Sequence, residues 1–362
     1  MLHHDTHADI ATIIMGKVLL TGASGFVAAE VLKQLVERGH EVVATVRTEE
    51  KAEWIKQHHP NAKIEIKIVS DIQAEDAFDE VLQDNGIVSV IHTASPFFRA
   101  KDDPVKELLN PAVKGTTNVL KAIKKFAPQV KHVVVTSSFA AIIHCYNEPS
   151  PEILYTEETW NQVTWDEAVS NLRWSYRGSK TFAEKALWEF IEKEKPNFQA
   201  TTVNPPSVFG PCLQKVNKPD QLNTSNKIIY DLLHSKAGDT TRPEGGYNLW
   251  VDNRDVALAH VLAIEKTDVS AGKRWFMTPG YYHPQDVLDI INENFPELKG
   301  KLAVGQKIDH TEREETYEKE LSKVDNSKTA RETGIIYHNF KDTIVDTVSS
   351  LLQLDKQWGT SL

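Results

Sequence analysis

The sequence predicts an α/β protein with a doubly wound parallel sheet and a smaller C-terminal α/β lobe. Short apolar runs rich in β-branched residues alternate with longer segments of helical period, which is the pattern of parallel strands joined by crossover helices. The length of 362 residues agrees, because domains commonly contain about 100–200 residues. We therefore expect one large domain and a smaller second unit.

Six apolar runs are predicted strands, and five segments between them are predicted helices. The strands are 17–21, 41–46, 63–69, 88–94, 131–137 and 199–204, and the helices are 25–37, 49–58, 74–84, 104–127 and 175–194. After residue 204, a segment rich in Pro and Asn predicts a long functional loop. Beyond it we expect helices at 253–266, 284–294 and 340–354, a strand at 274–278, and a solvated helix face at the acidic run 312–320.

Composition and charge exclude several classes of protein. The 51 acidic residues exceed the 41 Lys and Arg residues, for a net charge of -10, which argues against binding along a nucleic-acid backbone. No apolar run approaches the ~18 residues of a membrane span, and the N-terminus lacks the pattern of a signal peptide. Cys145 and Cys212 have no metal-binding spacing and fit a reducing compartment. We expect a cytoplasmic protein without a metal.

A glycine-containing turn follows the first predicted strand. Gly22 and Gly25, in TGASGFVA, stand where backbone N–H groups and the dipole of the next helix can bind a phosphate. Ala28 occupies the third glycine position of the dinucleotide-binding pattern, which tolerates alanine. The setting predicts a Rossmann-type dinucleotide site, and a plain tight turn is the alternative. Its candidate residues are Gly22, Ala23, Ser24, Gly25, Phe26 and Val27.

The ends of the second and third strands bear on the adenosine half of a dinucleotide. An acidic residue after the second strand would bind the ribose of NAD and repel a 2′-phosphate, but the sequence has Arg47, with Lys51 one helical turn later. This pair predicts NADPH/NADP+, and an ordinary surface pair is the alternative. Asp71 and Ile72 are candidates for the adenine, although Asp71 is equally suited to cap a helix starting near Ala74.

The motif YRGSK lies within the fifth predicted helix. Its spacing places Tyr176 and Lys180 on one helix face, where the ammonium group can lower the phenol pKa from ~10 and make the tyrosine a usable general acid. Ser138 ends the fifth strand and can donate a hydrogen bond to a substrate carbonyl oxygen. Ser137 is the competing choice, and a half-buried tyrosine beside a surface lysine is the alternative for the pair.

Together with Arg47, the motifs TGASGF, SSFAA, YRGSK and NPPSVFGP resemble those of the extended short-chain dehydrogenases/reductases, in particular the dihydroflavonol-reductase-like branch. The resemblance covers residues 17 to about 350. It implies hydride transfer from NADPH to an aldehyde or ketone, with Tyr176 as general acid and Ser138 orienting the carbonyl. Lys180 would also hold the nicotinamide ribose.

The same resemblance implies further contacts. The cofactor would also touch residues after the fourth and sixth strands and in LNTSN, namely Ala94, Ser95, Pro205, Val208 and Ser225. An apolar pocket for a small hydrophobic carbonyl substrate would be lined by Phe97, Phe139, Ile143, Trp174 and Val208, unless these side chains serve lobe packing.

We expect three units of distinct role. They are an N-terminal extension (1–15), an NADP-binding Rossmann domain (16–204, plus about 246–266) and a substrate-binding lobe (205–245 and 267–362). The sequence leaves a monomer or a homodimer open.

Two other functions fit the same residue set. A nucleotide-sugar epimerase or dehydratase that retains NAD would share the Ser, Tyr and Lys, although Arg47 and the aromatic pocket argue against it. A non-enzymatic NADP-binding regulator would be expected to have lost Tyr176 or Lys180, and both are present.

Overall fold

The helices and strands follow one another largely as the sequence predicts. The computed structural model describes residues 16–83, 86–95 and 102–360, so the predicted extension 1–15 and the candidate Phe97 lie outside the described residues. The described strands are β1 (Lys17–Thr21), β2 (Glu41–Val46), β3 (Ile64–Ile68), β4 (Ile87–His92), β5 (His132–Thr136), β6 (Leu154–Tyr155), β7 (Gln199–Asn204), β8 (Ser207–Phe209), β9 (Asn248–Asp252), β10 (Lys273–Phe276), β11 (Gly280–Tyr282) and β12 (Lys323–Val324).

The described α-helices lie between these strands and after them. They are α1 (Phe26–Glu37), α2 (Glu49–His58), α3 (Asp79–Leu82), α4 (Asn110–Phe126), α5 (Trp165–Ser170), α6 (Leu172–Glu194), α7 (Thr224–Leu233), α8 (Asn253–Glu265), α9 (Thr267–Ser270), α10 (Pro284–Asn294), α11 (His310–Lys319), α12 (Ser327–Thr333) and α13 (Phe340–Trp358). None of the described helices combines the length and the apolar character needed to cross a membrane.

Seven parallel strands form the central sheet, in the order β10-β7-β5-β4-β1-β2-β3. The chain order reverses between β1 and β4, where Thr21 lies opposite His92. Ligands of such sheets bind at this switch point, outside the carboxyl ends of the strands. The predicted doubly wound parallel sheet is confirmed.

Both faces of the sheet are covered, because successive strand residues point to opposite sides. Leu20 packs with Leu32 of α1 and Val256 of α8, whereas Leu19 packs with Ile123 of α4 and Leu187 of α6. Full burial of such a side chain contributes about 1.5–3 kcal/mol relative to exposure. The two helical layers therefore hold the carboxyl edge of the sheet rigidly.

The smaller unit is built on a second sheet with the order β11-β9-β8. Its core joins Leu233 of α7, Leu288 of α10 and Leu351 of α13. β8 lies inside the segment predicted as a loop and pairs with β9, a contact between distant parts of the chain that no local pattern shows. β10 pairs with β7, so residues 273–276 lie in the central sheet, although they fall within the second segment (267–362) of the predicted lobe.

The helix expected at 74–84 is largely absent, since only α3 forms there. The side chain of Asn118 on α4 donates to the main-chain oxygens of Ile72, Gln73 and Ala74 at 3.3, 3.1 and 2.9 Å. These bonds hold the segment after β3 against α4, and its main chain forms turns, with the Ala77 N–H donating to the Ala74 oxygen at 3.1 Å. By contrast, the acidic run forms α11 without a buried residue, so the predicted solvated face is confirmed.

Candidate active site

The glycine turn after β1 has the conformation that phosphate binding requires. Gly22 has φ +69°, and a Cβ built there would lie 3.0 Å from the Cα of Ala94. Its N–H donates to the Thr45 hydroxyl at 3.2 Å, which fixes the turn to β2. Gly25 precedes α1, and no side chain caps this helix. The start of α1 therefore presents backbone N–H groups and a favourable dipole to an anion.

A groove formed by adjoining cavities runs along this turn, and a cationic group lies at one end of it. Arg47 and Lys51 line the same cavity, of about 270 Å³, as Gly22 and Gly25. Burial lowers the pKa of Lys51 from its ordinary value, and the nearby charge of Arg47 lowers it further. An anion between the two side chains would relieve this repulsion, so the residues fit the 2′-phosphate that distinguishes NADPH from NADH.

Lys215, which the sequence does not single out, lies beside this cationic group. Its Nζ is 2.6 Å from a carboxylate oxygen of Glu50 on α2. The adjoining cavity is lined by Arg47, Lys51, Lys215 and Glu50, which are three cations and one carboxylate. The contact joins positions 165 residues apart and depends on the loop after β8 folding over α2.

The middle of the groove contains most of the predicted cofactor contacts. Ser24, Ile72, Ala94 and Ser95 line the cavity that also contains the glycines, and Ala23 lies beside it, fully buried. Asp71 instead accepts the N–H of Gln73 at 2.9 Å in a local turn, and among the described residues no helix starts near Ala74 for it to cap. Asp71 is not among the described residues that line this cavity.

The other end of the groove leads to the predicted catalytic residues. Its cavity, of about 240 Å³, is lined by Phe26, Val27, Ser138, Tyr176, Lys180, Pro205 and Val208, together with Asn223. Ser225, the sequence candidate, does not line the described part of this cavity, because α7 begins at Thr224 and places Asn223 there instead. The buried Oδ1 of Asn223 has no hydrogen-bond partner among the described residues. A cofactor amide or hydroxyl would satisfy it.

Ser138, Tyr176 and Lys180 converge where β5 and α6 meet. Ser138 lies two residues after β5, accepts the N–H of Ala140 at 3.1 Å and forms a side-chain hydrogen bond with Tyr176. The Lys180 ammonium donates to the main-chain oxygen of Thr136 at 3.4 Å. The competing residue Ser137 donates its hydroxyl to Glu184 instead. Ser138 is therefore the serine that contacts the phenol.

Burial dominates the pKa values of Tyr176 and Lys180, and the phenol pKa differs from the sequence prediction. Burial raises the pKa of Tyr176 to about 12, and the hydrogen bond from Ser138 opposes the rise. Burial also lowers the pKa of Lys180 to about 8, against the attraction of Glu184. The phenol pKa therefore lies above its ordinary value, whereas the sequence predicts a lowered one, because burial dominates. The tyrosine is a protonated phenol at neutral pH, which is the form that can donate a proton.

A buried carboxylate, which the sequence does not single out, lies behind these residues. Glu184 accepts hydrogen bonds from Ser137, from Asn204 at 2.7 Å and from Arg274 at 2.5 Å, and its side chain is fully buried. Arg274 also donates to the main-chain oxygens of Glu157 and Thr159 and stacks on Trp160. The network ties α6, β7, β10 and the segment after β5 together, and Asn204 also donates to the main-chain oxygen of Ser138 at 3.2 Å.

A second cavity, of about 320 Å³, opens beside Tyr176 and Ser138. The predicted pocket residues Phe139 and Ile143 line it, whereas Val208 lines the groove on the other side of Tyr176. Trp174 points away, packing edge to face on Tyr146 with the cluster around Leu109. Several unpredicted residues from the second sheet and its surroundings also line the cavity: Tyr247, Asn248, Leu249, Tyr281, Leu321 and Ser322.

Comparison with known proteins agrees with this geometry. The model of the NAD dependent epimerase/dehydratase family matches residues 18–276, which is more than half of the chain. The protein belongs to this family.

Individual members of the family resemble the chain over nearly its whole length. An NADPH-dependent methylglyoxal reductase of Saccharomyces cerevisiae is 39% identical over 346 residues, 93% of this chain and 98% of the relative. A ketoreductase of Aspergillus niger is 38% identical over 341 residues, with coverages of 93% and 98%. The crystal structure of the yeast methylglyoxal/isovaleraldehyde reductase with NADPH matches with a TM-score of 0.87 at 38% identity, over 95% of this chain and 100% of that chain.

Proposed function

We propose that the protein is an NADPH-dependent carbonyl reductase that reduces an aldehyde or ketone to an alcohol. The observation that carries the proposal is the position of Ser138 and Tyr176, which line both the nucleotide groove and the neighbouring cavity. A proton donor at this junction can reach a carbonyl group held between the two spaces. The names of the similar reductases support the same cofactor and the same class of reaction.

Several parts of the groove would hold the cofactor. The turn from Gly22 to Val27 would bind the pyrophosphate, and Arg47 and Lys51 would bind the 2′-phosphate. Lys180 and Asn223 would bind the nicotinamide end. When bound, NADPH supplies a hydride to the carbonyl carbon of the substrate.

The side chains around the carbonyl oxygen would bind it and donate a proton to it. The Ser138 hydroxyl would donate a hydrogen bond to that oxygen, and Tyr176 would transfer its phenolic proton to it as negative charge develops. The ammonium of Lys180 would stabilise the charge left on the tyrosine. Arg47 opposes the alternative of an NAD-retaining epimerase, and the paired Tyr176 and Lys180 oppose a non-enzymatic regulator.

The proposal predicts the pH dependence of reduction. With its pKa lowered to about 8, Lys180 is an ammonium below that pH and becomes neutral above it. The rate of reduction at saturating NADPH should therefore be highest below pH 8 and fall on the alkaline side. Steady-state kinetics from pH 6 to pH 10 would show this alkaline decrease in rate. In Lys180→Arg the decrease should occur at higher pH. A flat profile in the wild type would contradict the role of the ammonium.

Cofactor preference tests the proposal at the other end of the groove. Replacing Arg47 and Lys51 together with alanine should raise the Michaelis constant for NADPH by about 10- to 100-fold, since charged hydrogen bonds contribute about 1.5–3 kcal/mol. The constant for NADH should change little. Lys56→Ala, on the exposed face of the same helix, is the matched control. Equal changes for both cofactors would refute the assignment of the 2′-phosphate site.

We also propose a cytosolic enzyme, because Cys145 and Cys212 are free thiols. The location of a fluorescent fusion protein in cells would test this.

A further inference from the structure

The cavity beside Tyr176 has a single charged side chain among its described lining residues. This is Arg177, the next residue of α6, and the remaining described lining residues are neutral. Apolar side chains cover another part of the wall, including Phe139, Ile143 and Leu249. The cavity is therefore amphipathic, with a fixed positive charge next to the proposed proton donor.

The charge of Arg177 is not compensated by a carboxylate in the described part of the chain. Its Nη1 donates to the main-chain oxygen of His144 at 3.3 Å, which is a neutral acceptor. Other partly buried arginines of the protein each form an ion pair with an acidic side chain: Arg242, Arg254, Arg274 and Arg313. A guanidinium has five N–H donors, so most of the donors of Arg177 remain available to a ligand.

Main-chain contacts hold Arg177 in place. His144 accepts from Arg177 through its main-chain oxygen, and its N–H donates to the hydroxyl of Tyr155 at 3.4 Å. Tyr155 is another lining residue of the cavity. Burial raises the pKa of Tyr155, and the charge of Arg177 opposes that rise. The Arg177 side chain is thus bonded to the main chain at the wall of the cavity.

On the basis of the proposed reductase function, we propose that the cavity takes oxo acids, carbonyl compounds whose carboxylate binds Arg177 while the carbonyl group lies at Tyr176 and Ser138. The planar guanidinium matches a carboxylate in geometry, and one cation matches one negative charge. A phosphate ester carries about two negative charges and would need several cations, as in the group formed by Arg47, Lys51 and Lys215. The apolar walls would hold the carbon skeleton between the two polar ends.

The experiment compares an acid with its neutral ester. 4-Formylbenzoate and its methyl ester present the same aldehyde, and kcat/KM for each is measured at saturating NADPH in the wild type, in Arg177→Met and in Arg173→Met. Arg173 is an exposed arginine of the same helix and serves as the matched control. The ratio of kcat/KM for the acid to that for the ester should fall by about 10- to 100-fold in Arg177→Met, in line with the loss of a charged hydrogen bond. Arg173→Met should keep the wild-type ratio.

An unchanged ratio in Arg177→Met, with the ester still reduced, would overturn the carboxylate site and leave the reductase function standing. An equal fall in Arg173→Met would overturn it as well, because a general loss of positive charge would then explain the effect. Failure of the wild type to oxidise NADPH with the acid, the ester or any other aldehyde or ketone would instead overturn the proposed function itself.

Discussion

Replacing Tyr176 with phenylalanine is expected to lower kcat for carbonyl reduction by about 10²- to 10⁴-fold, which is the usual contribution of a positioned general acid. The change removes the phenolic proton and keeps the ring that fills the junction between the groove and the cavity. NADPH binding should persist, because the glycine turn and the cationic group lie elsewhere in the groove. Steady-state kinetics give kcat, and fluorescence titration with NADPH gives the dissociation constant.

Tyr146→Phe is the matched control for this change. Tyr146 is an exposed tyrosine whose hydroxyl bonds to Glu167, away from the junction. The Tyr146→Phe variant should retain the kcat of the wild type. A Tyr176→Phe enzyme with kcat within tenfold of the wild type would show that another group supplies the proton.

Glu184→Gln is expected to destabilise the fold by about 3–5 kcal/mol, the typical cost of removing one member of a buried ion pair. The variant leaves the guanidinium of Arg274 without its carboxylate partner in a site where both side chains are almost fully buried. It also weakens the bonds that hold Ser137 and Asn204. Denaturant unfolding, followed by circular dichroism and by tryptophan fluorescence, would measure the loss.

Glu189 offers a matched control on the same helix. It pairs with Lys193 on the surface, where its side chain is 59% exposed, so Glu189→Gln should change stability by no more than about 1 kcal/mol. Equal losses of unfolding free energy in the two variants would mean that the Glu184–Arg274 pair stabilises the fold no more than a surface ion pair does.

Much of the site could be predicted because its signals are local. The glycine turn between β1 and α1, Arg47 at the end of β2, and the spacing of Tyr176 and Lys180 each occupy one short stretch of sequence. Their convergence follows from the parallel sheet, since the carboxyl ends of the strands lie along one edge.

The features that could not be predicted depend on contacts between distant residues. Glu184 and Arg274 are 90 positions apart, and Lys215 reaches Glu50 only because the loop after β8 folds over α2. Asn118 similarly binds residues 72–74 from a distant helix, and this segment forms turns where the local pattern favours a helix. The pKa of Tyr176 was mispredicted because residue spacing gives the neighbouring ammonium and leaves out the burial that dominates.

The central claim is that NADPH reduces a carbonyl group at Tyr176, and cofactor oxidation tests it most directly. The absorbance of the nicotinamide would be followed with NADPH and then with NADH, over a panel of aldehydes and ketones from methylglyoxal to aryl ketones, for the wild type and Tyr176→Phe. We predict rapid loss of NADPH absorbance with at least one carbonyl compound, slower loss with NADH, and almost none in the variant. No carbonyl-dependent oxidation of NADPH, together with NAD retained in the purified protein, would contradict the account and favour an epimerase.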